Sequence, residues 1–482
     1  MKTIASLLAI GVVVTLAASA QPALTIYNQN FAVVRDSVPL DLKTGANPVT
    51  YANATAQVEP DSVILRDPAG KHSVQILEQN YRNDPVSEPL LLSLFEGKTI
   101  EFQNERLKDN TMTRELVPGK IVRSGFVPGG GNEQPIIEVK GKLQFSLPGQ
   151  PLFPDLGSDT ILKPAFNWLL QSDKPGKFDA EVGYVTGGFN WSASYNLVSP
   201  EKGDQCDLVG WITMNNISGK TFENAKIKLM AGDVNKIQPP NQPWGFAMAG
   251  KRALAMDAMK AEPAVSEKAF DEFHLYSIAR ATTLHDRETK QVEFVHAEKM
   301  YAPTIYVYDS AAGYRFYGLN YDRGYGQSDN KKIIVQREFK NAETNQLGIA
   351  LPAGKLRFYR RDADGQLQFV GENTIDHTPR NETVRVTTGN AFDLVGERKQ
   401  LDFYFDKADK WMDESFDIKL RNRKKDAAVE IRVVEHLYRW SNWKITQKSD
   451  NFTKKDSETI EFRVLLKPDE ERTVNYTVHY SW

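Results

Sequence analysis

The sequence contains very little cysteine: Cys206 is the single thiol in 482 residues. One cysteine excludes an internal disulfide framework, so the fold must be stabilised by buried apolar surface. A catalytic thiol needs a positive neighbour that lowers its pKa. Asp207 is adjacent instead, and we therefore expect Cys206 to be a structural thiol.

The sequence also lacks an excess of either charge and a second long apolar run. The whole sequence has 60 basic and 62 acidic residues. When Lys2 of the N-terminal apolar segment is left out, 59 basic residues remain against the same 62 acidic ones. This balance gives no attraction for DNA or RNA phosphates, which makes nucleic acid a poor partner. No apolar run after the N-terminal segment approaches the roughly 20 residues of a spanning helix, so we expect no integral membrane span.

Recognisable catalytic and metal-binding motifs are missing as well. The sequence has no Gly-x-Ser-x-Gly elbow, no His-Glu-x-x-His pair, no cysteine pair and no phosphate-binding glycine loop. His274, His285 and His296 recur at even steps of eleven residues. On strands, an odd separation places neighbouring members on opposite faces. We therefore predict no catalytic residue, no metal site and no cofactor.

Clusters of acidic residues are interpreted as turns or solvated charges. The segment 362–365 (Asp-Ala-Asp-Gly) resembles the start of a calcium loop, but the closing glutamate is missing. Asp and Gly tolerate the positive φ of a tight turn, so the segment predicts a β-hairpin between Leu356–Phe358 and Leu367–Phe369. The pairs Asp413–Glu414 and Glu470–Glu471 lie in polar stretches, where solvated carboxylates are expected.

The sequence begins with an export signal. Lys2 gives a positive start, an apolar core runs from Ile4 to Leu16, and residues 18–20 (Ala-Ser-Ala) form a cleavage site. No cysteine follows this site, which excludes a lipid anchor on a new N-terminal cysteine. We expect residues 1–20 to be removed and the mature protein to be periplasmic or secreted.

Most of the remaining chain shows the period-two pattern of half-buried strands. The pattern is clearest near the C-terminus, where apolar and polar residues alternate in 416–421, 429–433, 460–464 and 474–480. Such strands are antiparallel, have one buried face and pack as sandwiches.

The predicted fold class is therefore all-β: tandem antiparallel β-sandwich domains with a small inserted β-barrel and a partly helical or disordered insertion. We expect a strand over Phe166–Leu170 to pair with one over Phe178–Tyr184, and a helical turn from Ser87 to Phe95 that ends on Gly97. The Ala- and Met-rich segment 238–270 is interpreted as a surface insertion, with an amphipathic helix on a partner or a membrane as the alternative. The predicted order along the chain is a signal peptide (1–20), an N-terminal β-sandwich (21–93, continued at 160–186), a small β-barrel (94–150), a β-sandwich with the insertion (176–310), a further β-sandwich (311–408) and C-terminal sandwich strands (409–482).

The strongest functional feature is a run of seven tyrosines: Tyr301, Tyr306, Tyr308, Tyr314, Tyr317, Tyr321 and Tyr325. Exposed rings beside amides and charges suit sugars, and they suit protein surfaces equally well because Tyr and Arg dominate binding hot spots. The alternative is that Tyr306 and Tyr308 support strand pairing while the others fill an irregular connection. We predict a binding site at Tyr314, Tyr317, Tyr321, Arg323 and Tyr325.

Several distinctive stretches lie between residue 180 and the C-terminus: Tyr184–Tyr195 (YVTGGFNWSASY), Gly210–Gly219 (GWITMNNISG), Leu229–Asn235 (LMAGDVN), Leu347–Lys355, Phe369–Asn373 and Gly389–Asp393. Together they resemble a bacterial exported family, the domain of unknown function 4139. Mucoidy-inhibitor-like proteins are similar through the same domain, although their long coiled-coil insertion is missing here. The resemblance implies an envelope or secreted β-rich protein and supplies no catalytic residue.

These observations lead to one main functional hypothesis and two alternatives. We predict an exported, non-enzymatic β-sandwich protein of the bacterial envelope that binds or scaffolds envelope proteins or glycans, chiefly through loops at 301–328 and 238–270. The first alternative is a hydrolase of cell-wall or exopolysaccharide material that uses dispersed acids and a metal. In that case, two or more of four side chains should meet in one cleft: Glu372, Asp376, His377 and Asp393. The second alternative is a structural spacer without a dedicated site.

Overall fold

The computed structural model describes residues 21–108, 111–127, 133–156, 160–232, 234–236, 265–312, 318–328 and 330–482. About 62% of the residues are in strands and 3% in helices, which confirms the all-β prediction. The predicted signal peptide (1–20) and most of the predicted insertion (238–270) lie outside the described residues. None of the helices in the described chain has the length and apolar character that crossing a lipid bilayer requires.

The N-terminal third contains the predicted helical turn, α1 (Glu88–Leu94), and a 3₁₀ helix at Pro60–Ser62. The Ser87 side chain caps α1 by accepting a hydrogen bond from the Leu90 amide at 3.3 Å. Twelve strands lie in this region: β1 (Ala23–Tyr27), β2 (Phe31–Leu42), β3 (Gly45–Tyr51), β4 (Ile64–Arg66), β5 (Val74–Arg82), β6 (Thr99–Lys108), β7 (Thr111–Arg123), β8 (Ile136–Val139), β9 (Lys142–Gln144), β10 (Gln150–Leu152), β11 (Ala165–Ser172) and β12 (Gly176–Gly187).

The described middle part of the chain contains twelve further strands and a 3₁₀ helix at Glu343–Asn345. The strands are β13 (Phe189–Ser199), β14 (Gln205–Asn216), β15 (Phe222–Ala231), β16 (Val265–Phe270), β17 (Phe273–Ile278), β18 (Thr282–Leu284), β19 (Glu288–Tyr301), β20 (Thr304–Tyr308), β21 (Lys332–Lys340), β22 (Gly354–Arg361), β23 (Leu367–Ile375) and β24 (Thr383–Asp406). The end of the predicted insertion is thus strand β16. The predicted hairpin at 362–365 is confirmed, because β22 and β23 pair antiparallel around it.

Six strands complete the chain: β25 (Trp411–Asn422), β26 (Val429–His436), β27 (Trp443–Lys448), β28 (Phe452–Lys454), β29 (Thr459–Leu466) and β30 (Glu471–Ser481). In β25, buried residues alternate with half-buried ones along the whole strand. The period-two pattern therefore predicted the C-terminal strands correctly.

The described chain folds into two compact units, each assembled from several segments of the sequence. Unit 1 consists of the described residues of Met1–Asn190, Asn215–Lys228 and Arg280–Thr289. Unit 2 consists of those of Trp191–Met214, Leu229–Ala279 and Lys290–Trp482.

Unit 1 contains two stacked sheets. One sheet holds β15, β1, β2, β12 and β4 as successive neighbours, and the other holds β3, β11 and β5. The predicted pairing of 166–170 with 178–184 is wrong, because β11 pairs with β3 and β5 while β12 pairs with β2 and β4. Phe166 and Tyr184 instead meet edge to face, with ring centroids 6.3 Å apart. The turn between β11 and β12 moves the chain from one sheet to the other, so their apolar faces stack.

A smaller sheet follows α1 in unit 1. Strands β10, β6, β7, β8 and β9 are neighbours in that order, over a small core around Phe102, Ile121 and Ile137. The predicted barrel over 94–150 is wrong, since the described strands form an open sheet. Its outer strands β9 and β10 are only three residues long, which leaves too few backbone groups to close it.

Unit 2 contains a five-stranded sheet in the order β19-β14-β13-β22-β23. Its second sheet has nine strands, in the order β27-β30-β25-β24-β21-β20-β26-β29-β28. Most pairs are antiparallel, as predicted, but β13 pairs with β22 in parallel and so does β20 with β26. Parallel neighbours require long connections, and both pairs join strands far apart in the sequence.

The nine-stranded sheet folds over itself around an apolar core. The rings of Phe462 on β29 and Tyr476 on β30 lie 5.7 Å apart, although five strands separate β29 from β30 in the sheet order. Fully buried aliphatic residues such as Ile418 and Ile431 fill the space between the two halves. This sheet therefore supplies both layers of a sandwich.

Candidate functional site

Two glutamates occupy inward-facing positions on strands of unit 2. Glu414 lies between Met412 and Phe416 on the buried face of β25, and Glu435 follows Val433 on the buried face of β26. The two side chains are only 4% and 0% exposed, so the expectation of a solvated carboxylate is wrong for Glu414. A buried carboxylate requires an opposite charge or several hydrogen bonds, and each glutamate has both.

Arg439 pairs with Glu414 and also binds a loop, residues 318–328, which we call the tyrosine loop. Its Nε and Nη2 each lie 2.7 Å from a carboxylate oxygen of Glu414. Its remaining N–H groups donate to the backbone carbonyls of Asn320 (3.2 Å), Asp322 (2.7 Å) and Tyr325 (3.3 Å). These contacts use all five N–H donors of the guanidinium. The tyrosine loop is therefore attached directly to a buried ion pair.

Arg398 repeats this arrangement with the second glutamate. Its Nε lies 2.8 Å from Glu435 Oε2, and its Nη1 donates to the Gly326 carbonyl at 3.1 Å. The Tyr476 hydroxyl donates to the same carboxylate at 2.5 Å, and the guanidinium stacks 3.7 Å from the Phe416 ring centroid. Burial alone would lower the pKa of Arg398, but the Glu435 carboxylate raises it above its ordinary value. The guanidinium therefore stays charged.

His436 and Tyr438 border the small space beside the two pairs. His436 Nε2 lies 3.0 Å from the Asp309 carboxylate, and the Tyr438 hydroxyl lies 2.8 Å from His436 Nδ1. The cavity between these groups and the two arginines has a volume of about 20 Å³. That volume holds one water molecule at most. The buried charges therefore position the loop and do not form a ligand site themselves.

The sequence analysis did not predict the four buried charges, which are those of Glu414, Glu435, Arg398 and Arg439. The signal was present: the alternation of β25 and β26 continues past the apolar residues and places a glutamate at an inward position of each strand. A charge at an inward position is tolerated only with a buried partner.

The structure separates the predicted binding residues from the other tyrosines. Tyr306 and Tyr308 lie in β20, which pairs with β21 and β26, as the strand-support alternative expects. Tyr314 and Tyr317 lie outside the described residues. Tyr321 is 44% exposed and thus presents a ring to solvent.

The Tyr321 ring has an aromatic support. It lies 4.7 Å from the ring of Phe405 and 5.4 Å from that of Trp482, and these two rings stack on each other at 5.9 Å. Because Tyr321 remains 44% exposed beside these two rings, part of its ring is left to a ligand.

Arg323 and Tyr325 lie in different surroundings. Arg323 is exposed and lines a groove beside the tyrosine loop. The Tyr325 ring lies 5.4 Å from the guanidinium of Arg439, and burial raises the pKa of its hydroxyl. Tyr325 therefore supports the loop, whereas Tyr321 and Arg323 face solvent.

This groove, the loop groove, has a volume of about 620 Å³ and a polar lining. It is lined by Arg323, Gly324, Gln327, Ser328, Asn330, Lys331, Glu397, Arg398, Lys399 and Gln400. The lining thus combines amide and hydroxyl groups with charged ones, and such polar groups fix the orientation of a bound ligand.

The described lining of the loop groove carries an excess of positive charge. Its one described acid, Glu397, lies 2.6 Å from Arg421, and this hydrogen bond lowers the pKa of Glu397. Three exposed cations, Arg323, Lys331 and Lys399, form no ion pair with any described residue. The groove therefore attracts anions.

Unit 1 has a pocket of about 560 Å³ in which the main charges satisfy each other. Lys220 Nζ lies 2.7 Å from Asp36 and donates to the Asn53 carbonyl at 2.7 Å. The Tyr51 hydroxyl donates to the same Asp36 oxygen at 3.1 Å. Because this lysine and aspartate neutralise one another, the loop groove is the stronger candidate for a ligand.

Two residues of the hydrolase hypothesis, Glu372 and His377, have partners outside that set. Glu372 lies 3.5 Å from both Lys355 and Arg357, and His377 Nδ1 accepts a hydrogen bond from the Ala353 amide at 3.2 Å. No hydrogen bond or ion pair within the described chain joins any two of Glu372, Asp376, His377 and Asp393. Where side chains are described, no group of three or more His, Cys, Asp or Glu residues is placed to hold a metal ion.

Cys206 lies at the start of β14 and is fully buried. Burial raises the pKa of its thiol to about 11. A thiol of this kind is a poor nucleophile at neutral pH, as expected for a structural residue.

Comparison with models of known protein families gives no match, and a search of the curated proteins gives none either. The likeness to the domain of unknown function 4139 therefore stays a prediction, and the functional argument rests on the geometry of the loop groove.

Proposed function

We propose that this chain is an exported, non-enzymatic β-sandwich protein of the bacterial envelope that binds an acidic glycan in the loop groove. The export part of the proposal depends on the signal-like residues 1–20 and on the resemblance to the domain of unknown function 4139. The binding part depends on the loop groove and its aromatic neighbour.

The observation that carries the proposal is a polar groove with cations that lack partners. Arg323, Lys331 and Lys399 form no ion pair with a carboxylate of the described residues, and the only acid of the described lining, Glu397, is paired with Arg421, while the charge of Lys331 also helps to lower its pKa. Carboxylate or sulfate groups on a sugar chain would neutralise these cations through charge-assisted hydrogen bonds. The amides of Gln327 and Gln400 supply donors and acceptors for sugar hydroxyls. A neutral glycan would form only the hydrogen bonds with these amides and would leave the cations without a counter-charge.

The tyrosine loop adds a stacking surface at low entropic cost. The exposed ring of Tyr321 lies two residues from Arg323, so a sugar ring can stack on it while an acidic group reaches the groove. Arg398 and Arg439 already hold the loop carbonyls. Because the loop is ordered before binding, little conformational entropy is lost when the ligand arrives.

The test is calorimetric titration of the protein with a polyuronate oligosaccharide and with a neutral dextran of equal length. The variant Arg323→Gln/Lys331→Gln/Lys399→Gln should bind the polyuronate at least about tenfold more weakly, a change of about 1.4 kcal/mol. Tyr321→Ala should weaken binding further without lowering the melting temperature. A parent protein that binds dextran and polyuronate equally would contradict the proposal.

A matched control removes the same charge elsewhere in unit 2. Arg380, Lys444 and Lys467 are also exposed but lie outside the loop groove. Their triple replacement by Gln should leave polyuronate binding within about twofold of the parent, because only long-range, salt-screened attraction is lost. Equal weakening by the two triple variants would show that net charge, and not the groove, accounts for binding.

A protein partner is the second candidate, since exposed Tyr and Arg are the residue types that dominate protein interfaces. Affinity capture from an envelope extract separates the two. A protein that is captured by the parent, lost with Tyr321→Ala and retained by the groove triple variant would favour this candidate.

A further inference from the structure

A second, smaller cavity lies within unit 2, between the five-stranded sheet and part of the nine-stranded one. Strands β13, β22 and β23 border it on one side and β20, β21 and β24 on the other. Its volume is about 200 Å³, well below that of sites for drug-sized ligands. It shares no described lining residue with the loop groove, so a ligand here would be additional to the proposed glycan.

Three cations line this cavity: Arg337, Arg360 and Lys424. None of its described lining residues is Asp or Glu. Arg337 is buried and has one weak acidic contact, 3.3 Å from Asp204, while its Nη1 also donates to the Ala302 carbonyl at 2.7 Å. One partly exposed carboxylate, which contacts only Arg337 of the three, is therefore the one acid paired with these cations in the described chain.

The other two cations have no acidic partner in the described chain. The Arg360 guanidinium donates to the backbone carbonyl of Glu201. The Lys424 ammonium lies 5.3 Å from the Tyr306 ring centroid, a cation–π contact that leaves its N–H groups available. Like charges gathered on one concave surface repel each other, and a bound anion would relieve this repulsion.

We infer that this cavity binds the phosphate group of a small phosphorylated ligand. Two guanidinium forks and one ammonium match a phosphate monoester, which carries close to two charges on three terminal oxygens. A carboxylate has one charge and two oxygens, and it would leave a cation uncompensated. The ring of Tyr306 and the side chains of Leu197 and Phe358 supply an apolar wall for the rest of the molecule.

The experiment is titration of the full chain, at constant ionic strength, with three probes: glycerol 3-phosphate, inorganic phosphate and acetate. Calorimetry reports the binding of all three probes, and the ³¹P resonance reports that of the two phosphates. We expect one saturable site, with acetate at least about tenfold weaker than either phosphate. Arg360→Gln/Lys424→Gln should weaken phosphate binding at least about tenfold, and Lys424→Arg should retain it because the charge is kept.

The matched control is Arg361→Gln/Lys448→Gln. Arg361 is next to Arg360 but does not line the cavity, and Lys448 makes a similar cation–π contact, 4.9 Å from the Phe452 ring centroid. This variant should bind phosphate within about twofold of the parent. Circular dichroism and melting temperature show whether each variant is folded.

Three results would overturn the inference. They are no saturable binding of either phosphate by the parent, equal weakening by the two double variants, and acetate binding as tight as that of phosphate. If inorganic phosphate binds and glycerol 3-phosphate does not, the ligand of this cavity would be free phosphate and not a phosphorylated molecule. The loop-groove triple variant should bind phosphate normally, so failure of one proposal is distinguishable from failure of the other.

Discussion

Replacement of Arg439 by methionine should destabilise unit 2 and release the tyrosine loop. Glu414 is 4% exposed and has two contacts of 2.7 Å with Arg439. Without the guanidinium, Gln400 Nε2, at 2.7 Å from Oε1, is its one remaining side-chain donor among the described residues. Methionine fills most of the space, so the main effect is an uncompensated buried carboxylate. Removing one member of such a pair costs about 3–5 kcal/mol of unfolding free energy.

The assay combines urea unfolding with limited proteolysis. Three loop carbonyls lose their donor in Arg439→Met, so trypsin should cleave after Arg323 at least about tenfold faster than in the parent. The control is Arg423→Met, because Arg423 is 46% exposed and pairs at the surface with Asp469 and Glu471, which are 79% and 38% exposed. An exposed pair contributes at most about 1 kcal/mol, and the loop should stay protected in this variant.

A double-mutant cycle isolates the pair. Glu414→Gln in the Arg439→Met background removes the orphaned charge and should recover at least about 1–2 kcal/mol, while the loop remains cleavable. A loss below about 1 kcal/mol in Arg439→Met, or no coupling between the two positions, would refute the argument that this ion pair attaches the loop.

Three further substitutions or treatments test other parts of the chain. Gly396→Ala should cost about 1–3 kcal/mol in urea unfolding, because the added Cβ would overlap the buried Tyr308 ring; a cost below about 0.5 kcal/mol would contradict this packing. Since burial raises the pKa of Cys206 to about 11, iodoacetamide at pH 8 should label the native thiol about a hundredfold more slowly than the unfolded one, and comparable rates would show that it is accessible. Lys220→Met orphans a mostly buried aspartate and should cost about 2–3 kcal/mol, whereas Lys177→Met, at an exposed ion pair, should cost less than about 1 kcal/mol; equal melting temperatures would contradict the difference.

The strands of unit 2 were predictable because each has one buried and one solvated face. In β25, Phe416, Ile418 and Leu420 are buried while the residues between them are not, and a period of two reports this directly. No local sequence pattern of this kind indicates which strands pair with each other. β11 and β12 are joined by a short turn that is equally compatible with a hairpin and with a change of sheet, and only the packing of Phe166 against Tyr184 decides between them.

The candidate site was predictable in composition but not in geometry. The run of tyrosines indicates an unusual surface, and from it Tyr321 and Arg323 were predicted as binding residues. Which rings face solvent depends on Arg439, which binds the carbonyl of Tyr325 from 114 residues further along the chain. The cations of the loop groove come from the tyrosine loop, from Lys331 and from β24. No local pattern brings these segments together.

The buried charges nevertheless follow from the same alternation that predicted the strands. In an antiparallel pair, residues opposite each other face the same side, and Arg398 is opposite the buried Ile418. Arg398 is therefore inward, as are Glu414 and Glu435. Inward-facing acidic and basic side chains in one sandwich must pair, because an unpaired one would either turn out of the core to solvent or lose its charge. Arg398 and Arg439 each have N–H groups left over after pairing, and these bind the carbonyls of the tyrosine loop. An inward charge in an otherwise apolar series therefore predicts which core positions attach a loop, and it separates that role from catalysis, which would require space for a substrate beside the pair.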